Sequence, residues 1–91
     1  MRIAEPLESR IVGYVQVRVA SHVYTLPVEA APLGREAGES GESTRKAGFF
    51  SDSGGRFGIL IDSDAPDSVQ RETIERAFVD AARHLSRKFL N

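Results

Sequence analysis

The sequence predicts an α+β fold: an antiparallel sheet of about four strands, arranged as two hairpins and covered on one face by a single long C-terminal helix, ββββα. Three observations carry that prediction. Apolar and polar residues alternate from Arg10 to Glu29 (RIVGYVQVRVASHVYTLPVE), the period-2 pattern of half-buried strands. A second alternation, AGFFSDSGGRFGILID, is interrupted by a Gly-Gly pair suited to the positive φ angles of a hairpin turn. From Ser68 onward the apolar spacing changes to three and four, which is one face of a helix.

Taken in order, the first hairpin is expected to turn at Ser21-His22. That would set Val19 opposite Tyr24, Val17 opposite Leu26 and Val15 opposite Val28, all on one face. Pro27 has no N–H for a ladder and is expected at a sheet edge or a bulge. Residues 31–46, APLGREAGESGESTRK, are small, charged and glycine-rich, so a flexible loop is expected there. The second hairpin is expected to turn within Ser53-Gly54-Gly55, with Phe50, Phe57, Ile59 and Ile61 on the core face and Phe49, Gly58 and Leu60 on the other. In the helix, Ile74, Ala77, Phe78, Ala81, Ala82, Leu85 and Phe89 make one apolar stripe. Glu72 and Arg76 are placed for an i,i+4 ion pair, and the cationic last turn suits the negative end of the helix dipole.

Ninety-one residues fit one small domain, 1–91, with little core to spare. The absence of Cys excludes disulfides, thiol nucleophiles and thiolate metal sites. No apolar run approaches the length of a membrane span, and Met1 to Arg10 lack the apolar core of a signal peptide, so a cytoplasmic protein with no membrane partner is expected. A net charge of −1 provides no global field toward nucleic acid or anionic lipid. The ten Arg against two Lys are a bias associated with bacteria of G+C-rich genome, so a bacterial source is expected.

The three aspartates of IDSDAPDS, Asp62, Asp64 and Asp67, invite a metal or nucleophile assignment. An EF-hand beginning at Asp62 would require Gly where Asp67 stands and Glu where Thr73 stands. ILIDSD resembles the hhhhDxD strand end of phosphotransferases, but the chain has no room for the parallel sheet and downstream motifs that such chemistry needs. Asp67 followed by Gln70 matches a capping box, and Pro66 suits a helix start, so the segment is expected to end a strand and begin a helix. Weak magnesium binding by Asp62 and Asp64 is the lesser alternative. DSGG resembles the nucleophile segment of trypsin-like proteases, with Ser53 in the nucleophile's place, but the remaining apparatus of that family is absent. His22 is expected in a turn and His84 on the outer helix face beside Asp80; two scattered histidines do not make a zinc site. No catalytic residue, metal ligand or cofactor is therefore expected, and the protein is not expected to be an enzyme.

Two surfaces remain. A helix of about 23 residues spans roughly 34 Å, against about 23 Å for a seven-residue strand, so its end is expected to overhang the sheet. Leu85, Phe89 and Leu90 would then form an apolar patch rimmed by Arg83, Arg87 and Lys88, suited to a homodimer or another protein partner. The sheet face away from the helix is expected to carry Tyr14, Arg18, Phe49 and Arg56, a set suited to stacking unpaired bases. Four strands followed by a helix is similar in element order to the repeat of PUR-type and Whirly-type single-strand binders, which implies single-stranded nucleic acid as the alternative partner. The leading expectation is a non-enzymatic protein-interaction or regulatory module that self-associates through the helix overhang or through the open sheet face.

Overall fold

The computed structural model describes residues 9–33, 46–52 and 54–87. Among these residues four strands, β1 (Arg10–Val19), β2 (His22–Ala31), β3 (Gly48–Ser51) and β4 (Phe57–Asp62), precede the C-terminal helix α1 (Asp67–Arg87). The predicted ββββα architecture is present, with α1 packed on one face of the sheet. The sheet is mixed, not purely antiparallel. Its order is β1-β2-β4-β3, and β4 runs parallel to β2, with Val28 beside Ile59 and Ala30 beside Ile61. The two hairpins explain this. β3 starts at the end of the sheet where β2 finishes, so β4, returning from β3, must run in the direction of β2. Buried on both faces, Gly58, Ile59, Leu60 and Ile61 form the continuous apolar run that an inner parallel strand requires.

The first hairpin turns one residue earlier than expected, at Ala20-Ser21, so that Val19 faces His22, Val17 faces Tyr24 and Val15 faces Leu26. Because every pairing moves by two residues, the predicted inward face is preserved. Pro27 explains the choice. In an antiparallel ladder hydrogen-bonded and non-bonded pairs alternate, starting from the bonded pair that closes a two-residue turn. A turn at Ser21-His22 would put Pro27 opposite Gln16 in a bonded pair, which it cannot complete. The observed register puts it opposite Tyr14 in a non-bonded pair. Pro27 therefore lies on an inner strand, immediately before the parallel ladder begins at Val28, with a bulge between Ile11 and Gly13 just beyond.

This turn requires Ala20 at a φ of 56°, a conformation that disfavours any residue with a Cβ. Ala20→Gly is expected to stabilise the protein by about 0.5–1 kcal/mol, the relief of strain being offset in part by the greater freedom of glycine in the unfolded chain. Urea denaturation with unchanged m would show it, and a lower midpoint would mean that the turn is not strained.

In the second hairpin the Asp52 carboxylate accepts from the amides of Gly54 (2.9 Å) and Arg56 (3.0 Å), and Gly55 takes a φ of 83°. Ser53 lies outside the described residues. With Ser51 paired to Phe57, the connection runs from 52 to 56, an odd number of residues, and Phe49 faces Ile59. Phe49, not Phe50, therefore joins Phe57, Ile59 and Ile61 beneath the helix. Phe50 lies on the other face, opposite Gly58.

Two clusters fill the space under α1. Val17, Val19 and Leu26 meet Ala81 and Leu85 at one end, and Val28, Ala30, Ile59 and Ile61 meet Ala77 and the partly buried Ile74 at the other. A third, smaller cluster of Ala31, Leu33 and Leu60, with Phe50 against it, lies on the opposite face. Ala31, Pro32 and Leu33 are buried, so the expected loop of 31–46 begins later than predicted, and its residues 34–45 lie outside the described ones.

Candidate functional site

At the strand-to-helix junction the Asp62 carboxylate accepts from the backbone amides of Leu33 (3.2 Å) and Asp64 (3.0 Å), and the Ser63 amide donates to the Ala31 carbonyl at 2.9 Å. One aspartate thus ties the exit of β2 to the exit of β4. The helix start differs from the predicted capping box. The Gln70 amide donates to the Pro66 carbonyl at 3.0 Å, and the Gln70 side chain reaches back to the Ala65 carbonyl at 2.8 Å. Pro66 is thus the residue whose carbonyl opens the helix, and Asp67 lies in the first turn, where its charge favours the positive helix end.

Unequal effects follow. Asp62→Ala leaves the partly buried Leu33 amide without its acceptor and is expected to cost about 1–3 kcal/mol. Asp67→Ala is expected to cost only about 0.3–1 kcal/mol. Magnesium at millimolar concentration is expected to leave the melting temperature unchanged. Equal costs for the two substitutions, or a magnesium-dependent rise of several degrees, would reverse this assignment. Among the described residues no three His, Asp or Glu side chains gather as metal ligands.

As far as Arg87, the helix does not extend beyond the sheet. β1 and β2 have ten residues each, about 33 Å of strand, which matches about 32 Å for the 21 residues of α1. Leu85 therefore lies over the β1–β2 hairpin with 0% exposure, inside its own core, and offers nothing to a partner. Arg83 and Arg87 do flank a shallow apolar patch on the helix surface, but its apolar members are Phe78, Val79 and Ala82. The predicted interface residues Lys88, Phe89 and Leu90 lie outside the described residues. Phe78 and Val79 remain 39% and 47% exposed. The signal for Phe78 and Ala82 was in the sequence: both belong to the apolar stripe, which is wider than the strip of helix that the sheet covers.

No protein-family model matches this chain, and no curated protein or solved structure is similar enough to be matched to it.

His84 is not on the outer face beside Asp80. Its ring lies 5.4 Å from Phe49 and 5.5 Å from Phe57, centroid to centroid, and fills the gap between α1 and the β3–β4 hairpin. This placement breaks up the predicted base-stacking set. Tyr14 and Arg18 are exposed side chains of β1 on the face away from the helix, whereas Phe49 is beneath the helix and cannot join them. Arg56 lines a separate cleft of ≈ 560 Å³, to which Phe49 also contributes, with Glu29, Lys46, Phe50, Asp52 and Leu60, where acids and bases stand side by side. On the solvent side of α1 the predicted pair forms, Arg76 to Glu72 at 2.7 Å, largely exposed and worth little to stability. Among the described residues no helix is long and apolar enough to cross a membrane.

Proposed function

We propose that the chain is a non-enzymatic protein-interaction or regulatory module that works as a homodimer, meeting a second copy through the outer flank of α1. The observation that supports this is the pair Phe78 and Val79, large apolar side chains left half in water on a helix whose inner face is already satisfied, with Arg83 and Arg87 beside them. An apolar centre with a basic rim suits a protein surface better than a polar substrate. The alternative, single-stranded nucleic acid on the open sheet face, loses support from the position of Phe49 and from the acids Glu29 and Asp52 beside Lys46 and Arg56. A cytoplasmic, bacterial setting belongs to the same proposal.

Light scattering tests it. The wild type is expected at twice the chain mass of 10.0 kDa, with no change on adding a mixed-sequence oligonucleotide. Phe78→Asp puts a carboxylate into the contact and is expected to give a folded monomer. A wild type that is monomeric alone and gains mass with the oligonucleotide would replace this function with the nucleic-acid one.

A further inference from the structure

We infer that the second copy adds itself along the free edge of β1, antiparallel and centred on Gln16, so that two four-stranded sheets become one continuous sheet across the dyad. This rests on the self-association proposed above and specifies its geometry. Among the described residues the sheet order leaves β1 and β3 as outer strands, and they differ sharply. β3 has four residues, the short edge by which proteins avoid unwanted pairing. β1 has ten; its bulge between Ile11 and Gly13 and the charge of Arg10 protect only its first residues, and from Gly13 to Val19 it runs in regular register, without Pro or Lys and with Tyr14 at 65% exposure. Seven regular residues of open edge are a template for another strand.

The backbone shows which residues face that strand. Opposite Pro27, Tyr14 belongs to a non-bonded pair, and by alternation so do Gln16 opposite Thr25 and Arg18 opposite Val23. The N–H and C=O groups of Tyr14, Gln16 and Arg18 therefore point away from β2, into the position of an added strand. Side-chain chemistry then selects the register. Centred on Gln16, the dyad sets Tyr14 against Arg18 of the second copy twice over, an aromatic face against a guanidinium. Centring on Tyr14 would oppose Arg18 to Arg10, and centring on Arg18 would oppose that residue to its own copy; both put like charges together. Centring on Val15 or Val17 puts Arg18 opposite Val12 or Gln16 and forfeits the aromatic contact.

The helix supports the same edge. His84 leans toward β3 and β4, where it meets Phe49 and Phe57. Ala82 lies about 200° round the helix from His84 and packs on the cluster that holds Val17 and Val19 of β1. Phe78, one turn before Ala82, leans the same way and stays exposed. The free strand edge and the uncovered helix flank thus lie on one side of the molecule, and a two-fold axis beside β1 brings both copies of each together.

The chain has no Cys, so single cysteines report the geometry directly. Gln16→Cys puts the two sulfurs on the dyad, in a pair whose Cα atoms are about 5.5 Å apart, within disulfide reach. Thr25→Cys, on the same face but one strand inward in each copy, is the control. Mild oxidation is expected to convert most of the Gln16→Cys protein to covalent dimer and to leave Thr25→Cys monomeric under denaturing electrophoresis. In the wild type, the amides of Tyr14, Gln16 and Arg18 are expected to exchange slowly when concentrated and at least tenfold faster on dilution. A wild type of dimeric mass in which Gln16→Cys cross-links no better than Thr25→Cys and those amides exchange fast would overturn edge pairing while leaving the homodimer standing. A monomeric mass at every concentration would overturn both.

Discussion

Leu85→Ala is expected to destabilise the fold by about 2–5 kcal/mol without changing its oligomeric mass. Leu85 is fully buried, and its neighbours Val17, Val19, Leu26 and Ala81 come from three separate elements, so no single local shift can close the space that truncation opens. Domains of this kind have roughly 0.05–0.15 kcal/mol of stability per residue, so the loss is a large fraction of the total. Urea denaturation of wild type and variant, each with its mass checked at the same concentration, makes the measurement. The sequence alone placed Leu85 in a partner interface, where truncation would dissociate the protein and spare the monomer. A variant that is monomeric with a near wild-type midpoint would restore that placement and remove Leu85 from the core.

Why the sequence misplaced Leu85 is a matter of strand length. The helix is legible from its stripe to within a few residues, but an overhang at Leu85 follows only if the strands opposite have seven residues, and they have ten. Similar reasoning accounts for the other departures. Alternation in Arg10 to Glu29 established which side chains point inward, since a shift of two residues leaves that set unchanged; the register itself depended on Pro27 and the parity of its pair. In the second hairpin the error was one residue, and a one-residue slip exchanges faces, so Phe49 and Phe50 traded places. The unbroken run Ile59-Leu60-Ile61 already differed from the alternation of a half-exposed strand, which is the local mark of the inner, parallel position that β4 takes. Of the proposed interaction surface the sequence marks Arg83 and Arg87 directly and Phe78 and Ala82 only as members of the apolar stripe, because a stripe tells which residues are apolar and not how many of them a sheet of given width will cover.

The traded phenylalanines lead to the second large effect: Gly58→Ala is expected to cost about 1–3 kcal/mol, and Gly58→Val more. Alanine is ordinarily no worse than glycine in a strand, so the sign depends on space. A Cβ at Gly58 would fall 2.6 Å from Cζ and 2.8 Å from Cε1 of Phe50, which lies across the glycine from the neighbouring strand. The backbone of β4 is held between β2 and β3, so the ring must yield, and in moving it uncovers Ala31, Leu33 and Leu60, the only hydrophobic cluster among the described residues on that face. The double variant distinguishes this contact from a general intolerance of β4. With Phe50 already reduced to alanine, the added Cβ at position 58 meets no ring, so Gly58→Ala should cost nothing further there, and the two substitutions should be non-additive by about the full cost of Gly58→Ala alone. Thermal or urea unfolding of the four proteins completes the cycle. A harmless Gly58→Ala would place the Phe50 ring elsewhere, and strictly additive losses would show that the glycine serves the strand backbone instead of the aromatic ring above it.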